Sequence, residues 1–377
     1  MTGPVEVTIV IPCLNEAATI GPCVEHAQAT LRQHDINGEV VVADSSSDDS
    51  PVIATRAGAR VVRVDVRGYG AGLMGGINAA EGRFVIMADA DGQHDFDAIP
   101  RFVERLRAGA DLAQGCRLPS GGGTITPGAM KWSHRWIGNP LFSLLSRWWY
   151  RSTVHDVNCG FRGFTRILYD RLDLQCTGME FAAEMILKAS LAQARIDEVP
   201  ITVYPDKRVD HRAHLRTFRD GWRALRFFLL YTPRWLFLMP GLLLFLLGVL
   251  GYAAALAGRD GTGGRSLLVA SACVLCGYQS VIFAVFAKTF AVSERLLPED
   301  PKLTRFYELV NLEKGLLLSA AALLVGVVML GYSWFGRTTP DSGTGLAVAI
   351  AGATITILGF QTMISSFLMS IVGLRRR

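Results

Sequence analysis

From Trp235 to the C-terminus the chain is dominated by four apolar runs, Trp235–Leu256, Leu267–Val292, Gly315–Phe335 and Leu346–Val372. Each reaches the ~20 residues that a helix needs to cross a bilayer. Backbone polar groups in lipid must be satisfied within their own segment, so runs of this length are expected as spanning helices. No acidic residue falls inside them, which leaves an ion-coupled transport pathway without support. A chain of 377 residues with such a tail is expected to hold at least two structural units.

Charge placement orients the spans. The connection Ser293–Lys314 carries Arg295, Lys302, Arg305 and Lys314, and the chain closes on Arg375-Arg376-Arg377. The loops on the other side carry only Arg259, Arg265 and Arg337. By the positive-inside rule the front of the chain and both termini are expected in the cytoplasm. Met1-Thr2-Gly3-Pro4 has neither the basic nor the apolar region of a signal peptide. The formal charge of +5 is too small to argue for nucleic acid. Arginines crowd the segment before the first span instead, which suits an anionic membrane surface or a phosphate-bearing substrate. In His214–Tyr231, Leu215, Phe218, Trp222 and Leu225 form one helical stripe beside Arg216, Arg219, Arg223 and Arg226. Such a helix is expected to lie in the headgroup region. Seven cysteines show no disulfide-like spacing, and Cys273 and Cys276 lie in an apolar run without His or carboxylate partners. Packing is their expected role.

The front half alternates strand and helix patterns. Val7–Pro12, Glu39–Asp44, Ala59–Val66 and Arg83–Met87 read as strands, with helices over Ala17–Gln33 and Gly72–Ala80. This alternation predicts an α/β domain with parallel strands, whose ligands bind beyond the strand carboxyl ends. Polar clusters fall there: Asn15-Glu16, Asp44-Ser45-Ser46 and Asp89–Asp95.

Asp89-Ala90-Asp91-Gly92-Gln93-His94 is the sharpest of them. Acids one residue apart on extended backbone point the same way and could share a hard divalent cation with phosphate oxygens. A diphosphate leaving group needs such a cation to neutralise developing charge. Asp44 could accept from a base or ribose. Gly68-Tyr69-Gly70-Ala71-Gly72 lacks the order of a phosphate loop and is given a structural role, bringing backbone close to a donor at a helix start. Arg117, Arg135, Arg162, Arg208 and Arg212 form a pool of cations able to clamp anions, of which two or more are expected to be ordinary surface charges. Glu180 and Glu184, four residues apart on an expected helix, read as one solvated face and one cap, with a place facing the cleft open to one of them. No Ser/His/Asp, Cys/His or HExxH arrangement appears.

The set PCLNE (12–16), VADSSSDDS (42–50), RGYGAG (67–72), DADGQH (89–94), GCR (115–117), DVNCGFRGF (156–164) and EVPI (198–201) resembles the polyprenyl-phosphate glycosyltransferases. These are relatives of dolichyl-phosphate mannose synthase in glycosyltransferase family 2, with a GT-A (Rossmann-like) fold. The resemblance covers residues 5–235 in motif order, and the four-span tail resembles one branch of the family. It implies a catalytic domain over residues 1–213, a juxtamembrane amphipathic helix over 214–234 and an all-α domain of four transmembrane helices over 235–377. It implies that Pro12, Leu14, Glu16, Asp44, Asp89, Ala90, Asp91 and Gln93 bind the nucleotide-sugar. Asp89, Asp91 and Gln93 would hold Mg²⁺ or Mn²⁺, and Asp91 and Arg117 would be catalytic. Arg117, Arg135, Asp156, Arg162, Arg208 and Arg212 would serve the acceptor or a phosphate. Leu14, Ala43 and Ser45 stand where the family usually has an aromatic, an acid and a glycine, and Cys116 replaces a commoner serine. The base pocket therefore leaves GDP and UDP both open.

The implied reaction is inverting transfer of one sugar from a nucleotide-sugar of GDP-mannose or UDP-glucose type to a membrane polyprenyl phosphate, dolichyl or undecaprenyl. A phosphate monoester has a second pKa of about 6 and is largely dianionic near pH 7, so no general base is required. A processive polysaccharide synthase would carry QxxRW near the membrane, and Tyr231-Thr232-Pro233-Arg234-Trp235 lacks the glutamine. A non-catalytic scaffold could have lost the acid pair, which this chain retains. The sequence is compatible with an oligomer.

Overall fold

The computed structural model describes residues 3–208, 217–257, 264–293, 297, 300–309, 311–335 and 343–374. The chain forms two compact units, Met1–Phe228 and Leu229–Arg377.

The first unit begins with β1 (Val7–Cys13), α1 (Ile20–Gln33), β2 (Gly38–Asp44), α2 (Ser50–Arg56), β3 (Arg60–Arg63), α3 (Tyr69–Ala79) and β4 (Phe84–Met87). β1 and β4 carry apolar, mostly β-branched residues that are almost wholly buried, as required of strands covered on both faces. β3 is shorter than expected: it sits at the sheet edge, half exposed, and pairs only through Arg60–Arg63. α1 starts at Ile20 rather than Ala17, because Glu16–Thr19 is spent on the turn leaving β1.

There follow α4 (Ile99–Arg107), β5 (Leu112–Cys116), β6 (Thr124–Ile125), α5 (Asn139–Tyr150), β7 (Arg162–Thr165) and α6 (Arg166–Leu172). Then come α7 (Phe181–Leu191), β8 (Ile196–Pro200), β9 (Thr202–Val203) and α8 (Thr217–Leu230). The main sheet has the order β3-β2-β1-β4-β7-β5-β8. It is mixed, which corrects the all-parallel expectation: β7 runs antiparallel between β4 and β5. Its four residues include Arg162 and Gly163, which read as loop by composition. Gly163 is needed because a side chain there would press on Leu106 and Ile86.

The second unit holds α9 (Met239–Leu256), α10 (Gly264–Ser293), α11 (Pro301–Leu309), α12 (Leu312–Phe335) and α13 (Gly343–Leu374). Its four long apolar helices cover Arg234–Ala255, Gly264–Ser293, Leu312–Phe335 and Gly345–Ile371, within three residues of the expected spans. Small residues let the backbones approach: a Cβ on Gly277 would lie 2.4 Å from the Phe245 nitrogen. Tyr252 meets Ser271 and Thr354 through hydroxyl hydrogen bonds of 2.7 and 3.0 Å. Close packing and hydroxyl pairs are what hold helices together where no hydrophobic force separates them from lipid.

Of the residues expected in a juxtamembrane amphipathic helix, Leu215 and Arg216 lie outside the described residues, and the side chains of Phe218 and Arg219 are likewise outside. Trp222, Arg223 and Arg226 are exposed on α8, while Phe227 and Phe228 are buried. Arg259, Arg295, Arg337 and Arg375–Arg377 also lie outside the described residues.

Candidate active site

β1, β2, β4 and β5 point the same way, so the loops after them share one edge of the sheet. The loops after β1 and β2 are stitched together. Asn15 adopts a left-handed φ of 58°, a conformation asparagine tolerates better than most residues. Its N–H donates to Ser46 Oγ at 2.8 Å, and its Oδ1 accepts from Ser47 N at 2.9 Å. Glu16 N–H donates to Ser50 Oγ at 2.9 Å. This turn buries Glu16, whose carboxylate accepts Arg208 Nε at 2.7 and 3.0 Å. Pro12, half-buried, has its Cβ 3.4 Å from where a Cβ on Gly72 would stand, and Leu14 is exposed.

The acid pair departs from the extended geometry expected of it. The ladder continues one residue past β4, with Ala88 N–H donating to Val10 O at 3.1 Å. The chain then turns at Ala90-Asp91 and Gly92 takes a φ of 71°. Asp89 accepts from Tyr69 Oη at 2.9 Å and from His94 Nε2 at 3.0 Å. Asp91 Oδ1 accepts from Gln93 N at 3.0 Å, and its Oδ2 lies 3.8 Å from Arg208. Burial works against the charge on Asp89, but the hydrogen bond and charge of His94 outweigh it, aided by the hydrogen bond from Tyr69, and hold its pKa below the usual range. Burial and the neighbouring Asp89 charge hold Asp91 above it. Ala90 is buried, and its carbonyl accepts from the Cys23 thiol at 3.7 Å.

Tyr69 reaches Asp89 because the glycines beside it allow close packing. A Cβ on Gly68 would stand 2.3 Å from Thr177 O, and one on Gly70 would stand 2.2 Å from Cys176 O. Ala71 N–H donates to Thr177 O at 3.0 Å. The 175–177 segment is itself held by Glu184, which accepts from Gln175 N and Cys176 N at 2.8–3.1 Å and pairs with Lys188 at 2.9 Å. Glu184 is wholly buried, not on a solvated face. The glycine run therefore packs against protein backbone, which is what its composition was needed for.

On the β5 side, Arg117 forms a bidentate pair with Asp156, Nε at 2.8 Å and Nη2 at 2.9 Å, and its N–H donates to the same carboxylate at 3.0 Å. Burial opposes the Arg117 charge, but Asp156 outweighs it and raises its pKa above the ordinary value. Asp156 has no exposed surface, so it aims Arg117 instead of meeting a ligand directly. Arg208 behaves alike: burial opposes its charge, and Asp91 and Glu16 raise its pKa. Burial pushes the Cys116 and Cys159 thiols up to about 12, which suits packing and not nucleophilic chemistry.

Other expected residues are placed differently. Arg162 is fully buried, donating to the carbonyls of Ala182, Val157 and Cys159. It ties β7 to α7 and is not open to a phosphate. Asp44 is 1% exposed and already accepts Arg63 at 2.7 Å and Ser46 N at 3.2 Å, so no free carboxylate faces a base there. Gln93 donates its amide nitrogen to Ala129 O and Tyr204 O, both at 3.3 Å. Arg135 stacks 5.2 Å over Trp136 and has a buried Nε without a hydrogen-bond partner. Arg212 lies outside the described residues. None of the four described arginines of the pool is exposed. Arg63, Asp206 and Lys207 were not singled out by sequence. Asp206 accepts Arg208 at 3.1 Å, and the Lys207 stem covers Gly92.

Asp89 and Asp91 are hard oxygen donors of the kind Mg²⁺ or Mn²⁺ takes. No group of three or more His, Cys, Asp or Glu poised for a metal occurs among the described residues. The donor set therefore fits a cation shared with the phosphate oxygens of a ligand, not a resident structural ion.

A mixed sheet with a βαβ front half and an acid pair beyond its fourth strand defines a GT-A-like glycosyltransferase domain. Residues 8–172 match the glycosyl transferase family 2 model, and residues 285–373 match the glycosyltransferase family 2 C-terminal transmembrane region. The chain is 36% identical to the low-salt glycan biosynthesis hexosyltransferase Agl6 of Haloferax volcanii, over 97% of this chain and 89% of that protein. It is 30% identical to a dolichyl-phosphate hexose transferase of the same organism, over 52% of this chain and 82% of that one. A solved glucosyl-3-phosphoglycerate synthase from Mycobacterium tuberculosis, in complex with Mn²⁺ and UDP, is 22% identical. That likeness covers 59% of this chain and 76% of that one, with a TM-score of 0.45. The chain belongs to glycosyltransferase family 2: it is a glycosyltransferase whose C-terminal region carries four helices long and apolar enough to cross a membrane.

Proposed function

We propose that this enzyme transfers one sugar from a nucleotide-sugar to the phosphate of a membrane polyprenyl phosphate, with inversion, giving a polyprenyl phosphosugar. The observation that carries the reading is the site's charge layout. Asp91 lies 3.8 Å from Arg208, and Arg117, fixed by Asp156, feels the charge of Asp89, so two anion-binding cations attend the acid pair. The relative named a dolichyl-phosphate hexose transferase supports the acceptor class, and the apolar helices keep the enzyme where such an acceptor resides.

In this reading Asp89 and Asp91 hold Mg²⁺ or Mn²⁺, which when bound neutralises charge on the diphosphate leaving group. Tyr69 and His94 fix the Asp89 carboxylate, and Glu16 fixes Arg208 toward the donor phosphates. Arg117 orients the acceptor phosphate, whose oxygen is already ionised near pH 7. Bond formation at the anomeric carbon then needs orientation and charge handling, not a base. The catalytic unit and both termini lie on the cytoplasmic side, supported by Lys302, Arg305 and Lys314 between the second and third spans.

The test is transfer of radiolabel from GDP-mannose or UDP-glucose into lipid extract by purified enzyme given polyprenyl phosphate. Label should appear with one donor, vanish with EDTA and return with Mn²⁺ or Mg²⁺. Chelator-resistant transfer would remove the metal from the reading.

A further inference from the structure

Two of the motifs read from the sequence, DVNCGFRGF (156–164) and EVPI (198–201), meet at one turn. β7, β5 and β8 are neighbours in the sheet, and Arg162, Gln114 and Glu198 are partners in register across them. Directly paired residues point to the same face of a sheet, so the three side chains form a row. Arg162 and Gln114 are fully buried, and Glu198 closes the row on the edge strand.

Each member of the row grips the 155–159 turn. Glu198 accepts the His155 N–H at 2.7 Å, and its second oxygen lies 2.6 Å from the ring Nδ1. Gln114 Nε2 donates to Asp156 O at 2.9 Å and to Cys159 O at 3.2 Å. Arg162 Nη2 donates to Cys159 O at 2.6 Å and to Val157 O at 3.4 Å. The backbone on both sides of Asp156 is in this way fixed to the sheet, and Asp156 is the residue whose carboxylate takes three hydrogen bonds from Arg117. A guanidinium fork recognises an oxyanion only when its plane is aimed, and misplacement of such a group by about 1 Å costs on the order of 100-fold. The His155 and Glu198 side chains are 35 and 17% exposed, and ion pairs reached by solvent contribute little to stability. What the outer pair fixes is therefore a position more than a melting temperature.

With Arg117 orienting the acceptor phosphate as proposed, we infer that the row Arg162–Gln114–Glu198 aims it, and that Glu198 is a positioning residue for acceptor binding, acting through His155 and Asp156.

The test separates acceptor from donor kinetically in the purified full-length enzyme. Glu198→Ala should raise KM for polyprenyl phosphate about tenfold or more, with KM for the nucleotide-sugar and the melting temperature nearly unchanged. Glu198→Gln keeps an oxygen for the His155 N–H and should restore most of the acceptor KM. Glu198→Asp keeps the charge but shortens the reach; it should raise the acceptor KM about threefold, and it carries the test if Glu198→Ala does not fold. Arg117→Lys keeps the charge and loses the fork, so it should raise the acceptor KM by itself. Adding Glu198→Ala to it should then cost little more, because the two act on one interaction. An acceptor KM unchanged by Glu198→Ala and Glu198→Asp, but raised by Arg117→Lys, would overturn the inference. A rise in both KM values in step with a lower melting temperature would do the same, since a purely structural role gives that pattern. An acceptor KM unchanged by Arg117→Lys would instead strike the role given to Arg117, and the role of Glu198 with it.

Discussion

Arg208 donates its Nε to both carboxylate oxygens of Glu16, at 2.7 and 3.0 Å, across 192 residues of sequence. The pair joins the first turn of the domain to the last described segment before α8, and it sets the Arg208 guanidinium beside Asp91. Removing Arg208 leaves a buried carboxylate uncompensated, which costs about 3 kcal/mol or more. Arg208→Ala should therefore lower both the melting temperature and transfer. Adding Glu16→Gln should recover most of the melting temperature and none of the transfer. Recovery of both would make the pair purely structural.

Gly160 gives a sharper probe of Asp89. A Cβ there would stand 2.7 Å from Asp89 Oδ2 and 3.3 Å from Tyr69 Oη. Gly160→Ala must displace one of them by a few tenths of an ångström. Overpacking of this size costs about 1–3 kcal/mol, while misplacement of a catalytic group by about 1 Å costs on the order of 100-fold in rate. The expected result is a tenfold or larger fall in kcat from the smaller shift, with a raised Mn²⁺ requirement, in protein that still melts cooperatively. Unchanged kinetics would show that Asp89 is not held for chemistry.

Glu184 is predicted to act at a distance through backbone. Glu184→Gln frees the 175–177 segment against which Gly68 and Gly70 pack, and strands the buried Lys188. Stability should fall by about 3 kcal/mol, read as a lowered melting temperature. In Glu184→Gln/Lys188→Met the stranded charge is gone, so stability should return while kcat stays depressed. If kcat returns with stability, the route from Glu184 to Tyr69 has no functional weight.

At the opposite edge of the sheet, Glu6 tests the electrostatics alone. Its hydrogen bond from Arg107, helped by Arg83 and only partly offset by burial, lowers its pKa from 4.5 to about 2. A depressed carboxylate pKa gives stability that is complete above about 4.5 and is lost as pH falls through about 2. Both guanidiniums are substantially exposed, so solvent screening reduces the contribution to about 1 kcal/mol. Glu6→Gln should melt below the parent protein at pH 7, and the gap should narrow as pH drops from 4 toward 3. A gap independent of pH would assign the effect to packing.

The spans and the front strands were legible because each is a local pattern: apolar length for the helices, β-branched runs for β1, β2 and β4. The strand-end acids were legible for the same reason. What escaped were relations that only folding creates. β7 is four residues with a buried arginine and a glycine, and no local rule makes that a central strand. Arg63 occupies Asp44, and Asp156 occupies Arg117, so residues that looked like ligand contacts are partly spoken for by partners 19 and 39 residues away. Tyr69 lay inside a motif read for its glycines, and its hydroxyl finds Asp89 only because those glycines let α3 approach the 176–178 backbone.

The central claim is one sugar on one lipid phosphate, and mass spectrometry of the lipid product measures it directly. Purified enzyme given polyprenyl phosphate, Mn²⁺ and its nucleotide-sugar should yield a lipid heavier by one hexose-type residue, with no ladder above it. Asp91→Asn should yield none while retaining its melting behaviour. A ladder of additions, or full product from Asp91→Asn, would contradict the account.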